Sequence, residues 1–457
     1  MSVAGKIYSW AELSKHNTDT DCWVAVNGKV YDITNWINKH PGGRDVLLYA
    51  AGRDVTNLFE SYHPFTEKPA QIIEKYQVGV LSSTEFPKYV SKSKFYDTLR
   101  ERVGSYFKQT GQDPQGSIGL YTRMFSVNVA FIICYLVSLY TTTNFMLCVV
   151  MALITGFSQA LMAMHTLHDA SHSAVGHNPL MWKIYLGWFE FLTGSSYYAW
   201  IHQHVLGHHL YTNVRGADPD VGDGEIDFRI ITPYQTRMWY HKYQHIYAPI
   251  LYGLYAIKVR LQDWETMFKR INGNIRVSAP QRFDFAAWGL GKFSYLFFRI
   301  YLPLHYHSVA SLAVYIVLCE LVTGWYLTFN FQVSHIAEDL KFKATPSKNE
   351  EQIVVDEDWA VWQVLTTQDY SHGSLLATFL SGALNYQVVH HLFPSVSQDH
   401  LAQLVPIVKQ VCQEYNIKYT ILPSFYDAFV SHISYIYRMG NDPDYVKQPI
   451  HNNKKSN

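Results

Sequence analysis

Two runs of apolar residues constrain this chain more than any other feature. MFSVNVAFIICYLVSLY (124–140) and FMLCVVMALITGFSQALMAM (145–164) contain no Asp, Glu, Lys or Arg. At about 1.5 Å of rise per residue, a helix of either length nearly matches a hydrocarbon core of about 30 Å. Two later stretches, 286–304 and 309–330, complete an expected set of four spans, the first of them interrupted by Lys292 and Arg299. IYLGWFEFLTGSSYYAW (184–200) carries Glu190 and a Gly-Ser-Ser break, and reads as interfacial or re-entrant. The connections TTTN and LHYHS hold no Lys or Arg, whereas the 241–282 segment carries Lys242, Lys258, Arg260, Lys269, Arg270, Arg276 and Arg282. The positive-inside rule then puts the N-terminus, this middle segment and the C-terminus on the cytosolic side of a multi-pass protein.

Composition agrees with a chain partly solvated by lipid. Only 16% of the residues are charged and 16% are aromatic. The 37 basic residues balance 37 acidic ones, so no bulk field exists to attract nucleic acid. Cys22, Cys134, Cys148, Cys319 and Cys412 form no CxxC pair, which argues against a disulfide framework and for a reducing, cytosol-facing location. The first residues lack an apolar core, so no cleaved signal peptide is expected.

The N-terminal stretch reads differently. CWVAVNGKVYDI alternates apolar and polar residues around Asn-Gly, a hairpin signal, and residues 1–82 are expected to form a compact α+β unit. A linker at 83–118 holds FYDTLRERVGSYF, with Phe95, Leu99, Val103 and Phe107 on one helical face that could lie on a membrane or on the protein. The expected organisation is therefore mainly α. A multi-span membrane domain at 119–435 follows the small N-terminal unit, and a polar tail occupies 436–457.

Three histidine clusters carry the chemistry. HDASH supplies His168 and His172, HVLGHH supplies His204, His208 and His209, and QVVHH supplies His390 and His391 with Gln387 three residues ahead. On a helix, residues three and four apart share a face, so each cluster can point at one small volume. Imidazole is a good ligand for iron, copper or zinc, and an amide oxygen is a weaker donor. A lone membrane histidine is more often a satisfied core residue, but three clusters on one membrane face point to metal. His335, at the end of the fourth span, offers an eighth nitrogen, and eight exceed what one ion takes, so two ions are implied. Zinc would favour tetrahedral, hydrolytic sites. Soluble di-iron bundles use paired Glu-x-x-His, and the one such match, Glu60 to His63, has no partner. Asp169, Asp218 and Asp220 could orient imidazoles from behind or could be solvated loop carboxylates.

NKHPGGRD (38–45) and ESYHP (60–64), with VYDIT and AGRDVT, make residues 7–80 resemble the haem domain of cytochrome b5. The resemblance implies that His40 and His63 are the two axial ligands of a b-type haem, which then carries single electrons because no position remains open for oxygen. From 120 to 430 the chain resembles front-end membrane fatty-acid desaturases, which share HDxxH-type and HxxHH-type boxes and a third box with Gln in place of its first His. Here the second box reads HxxxHH. HQHVLGHHLYTN and GADPDV look most like Δ5 acyl desaturases.

The resemblance implies two non-haem irons held by the histidine boxes and His335, with Gln387 at a ligand position. It also implies molecular oxygen and a polyunsaturated acyl chain as substrates, and electrons arriving from NADH through cytochrome b5 reductase to the haem. Rivals are a Δ6 acyl or Δ8 sphingolipid desaturase, a related lipid hydroxylase, and, from another class, a haem-only membrane electron carrier with structural histidines. The final KKSN resembles a dilysine retrieval signal, so an endoplasmic reticulum membrane is expected, unless those lysines only solubilise a polar tail.

Overall fold

The computed structural model describes residues 5–83, 87–90, 92–222, 227–233, 235–272, 275–343 and 354–442. The N-terminal unit is built on a sheet in the order β1 (Ile7–Tyr8), β6 (Gln77–Leu81), β4 (Lys29–Asp32), β3 (Asp21–Val26) and β2 (Asn17–Thr18), with β5 (Arg53–Asp54) beside β3. Asn27 (φ 51°) and Gly28 (φ 73°) make the tight β3–β4 turn that Asn-Gly announces. Inward residues of this hairpin, Val24, Val26 and Tyr31, pack with Ile33, Ile37 and Leu48 into one small core.

In the linker, the helix Lys94–Thr110 starts on the Ser93 side chain, which accepts from the Phe95 N–H, and stops at Gly111 in the left-handed region. Its apolar face lies on the protein. Phe95, Leu99, Val103 and Phe107 are buried beside residues of the Gln398–Glu414 helix, and Arg102 clamps Glu414 through bonds of 2.8 and 2.6 Å.

Among the described residues, three helices are long and apolar enough to cross a membrane: Ile118–Thr141, Phe145–Ser171 and Val309–His335. Exposed Phe125, Ile133, Met146 and Val150 line their outer faces. A Cβ on Gly156 would run into the Cys319 carbonyl, so the last two helices meet backbone to backbone there. The 286–304 stretch is not among the three. It lies in a helix, Arg282–Leu296, that continues through a π turn (Phe297–Tyr301) and a final 3-10 turn to His305. Its charges explain the shortfall in hydropathy, and they are paired internally: Lys292 with Asp263 at 2.7 Å and Arg299 with Glu320 at 3.4 Å.

The ends of this helix are also fixed. Near its start Asp284 accepts from Tyr49 of the N-terminal unit at 2.8 Å, and just past its end His307 Nε2 lies 3.1 Å from the Leu139 carbonyl at the far tip of the first span. The 184–200 stretch is a helix, Pro179–Thr193, broken at Gly194–Ser196 and restarted at Tyr197. The last helix, Phe425–Asn441, buries Ile436 and Met439, so ordered structure runs past the expected start of the polar tail at 436. KKSN (454–457) lies outside the described residues. All five cysteines are free.

Candidate metal centre and haem cleft

The three histidine clusters come together at the ends of helices. The Phe145–Ser171 segment delivers His168, and His172 caps it. His204, His208 and His209 sit where the chain opens into π-helical turns over Ile201–His208. Wider π turns accommodate the HxxxHH spacing, because i, i+4 and i+5 can face one side when each turn holds more than four residues. Gln387, His390 and His391 lie on the short helix Gln387–Leu392, and His335 ends the Val309–His335 helix. All nine side chains are buried.

Ligand nitrogens of His168, His172, His204 and His390 lie within 4.8 Å of one another, and so, as a second group, do those of His208, His335 and His391. His209 faces the first group, with Nε2 at 3.2 Å from His204 Nε2 and 3.1 Å from His390 Nε2. In the second group His208 Nε2 and His335 Nε2 are 3.3 Å apart, and the Gln387 amide nitrogen is 2.9 Å from His335 Nε2. Two imidazoles on one ion at about 2.0–2.1 Å stand about 3.0–3.4 Å apart.

Protons on the outer nitrogens make this arrangement informative. The Thr366 carbonyl, 3.4 Å from His335 Nδ1, can only accept, so the proton sits there and His335 Nε2 is bare. The Asp218 carboxylate, 3.1 Å from His208 Nδ1, does the same for His208. His335 Nε2 can accept from the Gln387 amide at 2.9 Å, and the bare His208 Nε2 that faces it calls for a cation or a shared proton. His168, His172 and His391 add buried Nε2 atoms without a hydrogen-bond partner, more than shared protons can satisfy. Burial pushes His172, His204, His209, His390 and His391 well below the usual imidazole range, leaving them neutral, the state a metal requires. For His208 burial lowers the value, and Asp218 outweighs it and raises the ring's basicity. The residues present therefore fit two metal ions.

Of the three carboxylates, Asp218 and Asp169 are buried behind imidazoles; Asp169 Oδ1 is 3.3 Å from His168 Nδ1. Asp220 is half-buried, 3.6 Å from His208 Nδ1, and accepts from Gln203 at 3.1 Å. Sequence reasoning missed two partners. Gln363 Oε1 sits 2.8 Å from His391 Nδ1, and the Tyr62 hydroxyl 2.8 Å from His172 Nδ1. Neither stands near a box in sequence, so no local signal marks them.

In the N-terminal unit, His40 and His63 face one another across a cavity of about 530 Å³ with ring centroids 6.3 Å apart. That gap equals two metal–nitrogen bonds of about 2 Å plus two ring radii. Their Nδ1 atoms donate to the Gly43 and Phe59 carbonyls at 3.1 and 2.9 Å, which turns both Nε2 atoms into the cleft. Burial lowers both imidazoles. A Cβ on Gly42 would come within 2.8 Å of His40 Cε1, so glycine leaves room for this ring. Apolar Val24, Ile33, Val46, Leu58 and Ile72 line a cleft suited to a flat, greasy macrocycle, and b-type haem fits.

Comparison with known proteins gives the same two parts. The Fatty acid desaturase family profile matches residues 143–423, and the Cytochrome b5-like Heme/Steroid binding domain profile matches 9–82. Delta(5) fatty acid desaturase A of Dictyostelium discoideum is 58% identical over 98% of this chain and 97% of its own length. Acyl-lipid (8-3)-desaturase B of the same organism is 52% identical over 98% of this chain and 97% of its own. The Acyl-lipid (8-3)-desaturase of Mortierella alpina is 40% identical over 96% of this chain and 98% of its own.

Proposed function

The chain belongs to the fatty acid desaturase family, and we propose that it is a front-end Δ5 member, placing a cis double bond between the carboxyl end and an existing double bond of a polyunsaturated acyl chain. One observation carries the reading: eight histidines from separate segments turn their nitrogens into two adjoining buried groups beside a bis-imidazole cleft. The names of the 58% and 52% identical relatives support the position of the bond.

His168, His172, His204, His209 and His390 would hold one iron, and His208, His335 and His391 the other, with the Gln387 amide at the edge of the second set. When bound, the two irons supply oxygen reduction and hydrogen removal from two adjacent methylenes. The protein's part is geometric. Asp169, Asp218, Gln363 and Tyr62 fix the tautomers and ring angles of the imidazoles behind which they stand. A narrow, largely apolar cavity between Trp200, Leu327 and Phe331 reaches His168. At about 50 Å³ it has room for only a few acyl carbons beside the centre, and which carbons rest there would select the bond. His40 and His63 would hold the b haem, reduced by NADH through cytochrome b5 reductase.

Expression in yeast fed defined polyunsaturated acids tests this. A new cis bond at carbon 5 is expected by chromatography and mass spectrometry. A bond at carbon 6, a changed sphingoid base or a hydroxylated product would each replace the Δ5 reading.

We also propose four crossings, in the endoplasmic reticulum membrane, with both termini cytosolic. His168 and His335 close two helices at one site, so those helices run the same way, and the chain must recross between them. We assign this recrossing to Arg282–His305, which starts beside the N-terminal unit at Asp284 and leads into His307, 3.1 Å from the Leu139 carbonyl. In sealed microsomes, added protease is expected to remove tags at both ends of the full chain; protection of either end would overturn the four-crossing arrangement.

A further inference from the structure

The haem cleft is not closed by the N-terminal unit alone. Trp182, Ile201 and Val205 of the membrane domain form part of its wall. Tyr62 stands between the two centres. It is the last residue of the Thr56–Tyr62 helix and the peptide neighbour of His63, and its ring lines the haem cleft. Its hydroxyl oxygen is 2.8 Å from His172 Nδ1, and the two rings lie 6.4 Å apart at an angle of 25°.

We propose that Tyr62 is the electron link of this enzyme, joining the haem on His63 to the non-haem centre on His172 within one chain. The inference rests on the ligand reading above. The route runs along covalent bonds from the His63 imidazole through one peptide unit and the phenol ring. It then crosses a single hydrogen bond to an imidazole whose Nε2 has no other partner. With Nε2 turned to a metal, the His172 proton sits on Nδ1 and donates to the phenol oxygen, so Tyr62 also fixes the tautomer. Each passage oxidises one ferrous haem and reduces one ferric non-haem ion, and moves no atom. Two passages supply two electrons, and the two C–H bonds that are broken supply the other two. With two protons from the acyl chain and two from water, one dioxygen becomes two waters.

Other contacts hold the unit in place. Arg276 donates to the Ser14 and Gly52 carbonyls at 2.7 and 2.6 Å, Ser278 donates to the Tyr49 carbonyl at 2.8 Å, and Lys183 pairs with Asp45. Removing one hydroxyl therefore leaves the docking intact, which separates the link from the interface.

The test uses full-length protein carrying its haem and irons, as wild type, Tyr62→Phe and Arg276→Gln. Iron per haem, the haem spectrum and the rate of haem reduction by NADH and reductase are measured first. Pre-reduced haem is then mixed with oxygen and acyl substrate, and its reoxidation is followed optically. Tyr62→Phe is expected to slow reoxidation by about tenfold or more, within the 10–100-fold carried by outer partners of metal-bound imidazoles. Its iron content, spectrum and haem reduction are expected to match wild type, and Arg276→Gln is expected to reoxidise normally.

Wild-type reoxidation in Tyr62→Phe would overturn the link, and so would equal slowing in Arg276→Gln, which would make docking the cause. Iron loss confined to Tyr62→Phe would overturn it too, reducing Tyr62 to an orienting residue. A wild-type protein with no non-haem iron would instead sink the ligand reading beneath the proposal.

Discussion

His390→Ala should abolish desaturation, cut non-haem iron to one ion per chain or fewer, and leave the haem spectrum unchanged. His390 sits at the middle of the first set of nitrogens. Its Nε2 is 3.1 Å from His209 Nε2, and its ring centroid is 4.5 Å from that of His168 and 4.9 Å from that of His172. Alanine removes a ligand and leaves the other bare nitrogens of the set facing a void that no other described side chain fills. Losing an outer partner such as Asp218 costs about 10–100-fold; losing an inner nitrogen should exceed that and bring activity to background. His40 and His63, the proposed haem ligands, face a cleft walled in part by Trp182, Ile201 and Val205 of the membrane domain, so an unchanged spectrum is an internal check that the two parts have folded and docked. Iron and activity both retained in His390→Ala would return this histidine to a structural role.

The clusters were legible because metal ligation needs particular residue types at helical spacing, and helical spacing survives in sequence. His335 was legible because it ends an apolar run. The pairing of the boxes was not, since His208 meets His335 and His390 meets His209 across 127 and 181 residues. The HxxxHH spacing looked like a departure from the usual box and turned out to be a backbone effect, the π turns over Ile201–His208.

Among the described residues, three of the four expected spans are helices long and apolar enough to cross a membrane; 286–304 is not, because Lys292 and Arg299 lower its hydropathy. In the fold they meet Asp263 and Glu320, partners distant in sequence. An amphipathic face also does not say what covers it. Phe95, Leu99, Val103 and Phe107 suit a membrane surface and the Gln398–Glu414 helix equally well, and only tertiary packing chose the second. Tyr62 and Gln363 were unreadable for a simpler reason: a hydrogen bond to an imidazole leaves no periodicity behind.

The opposite pattern is expected of His40→Ala: haem binding and desaturation are lost together while both non-haem irons remain. The cleft offers the macrocycle apolar walls and two bare nitrogens 6.3 Å apart between ring centroids, and removing one leaves the other side unligated. Membrane insertion and iron loading should survive, because His168, His208, His335 and His391 take their outer partners from their own domain, while His172 takes its from the N-terminal unit. Haem content by pyridine haemochrome, iron by elemental analysis and product formation check the three parts separately. Free cytochrome b5 should restore little, since the emptied unit stays docked through Arg276 and Tyr49 and still covers the His172 side of the centre. Full activity without haem would break the electron route, and full rescue by free cytochrome b5 would mean that the docked unit leaves that face open.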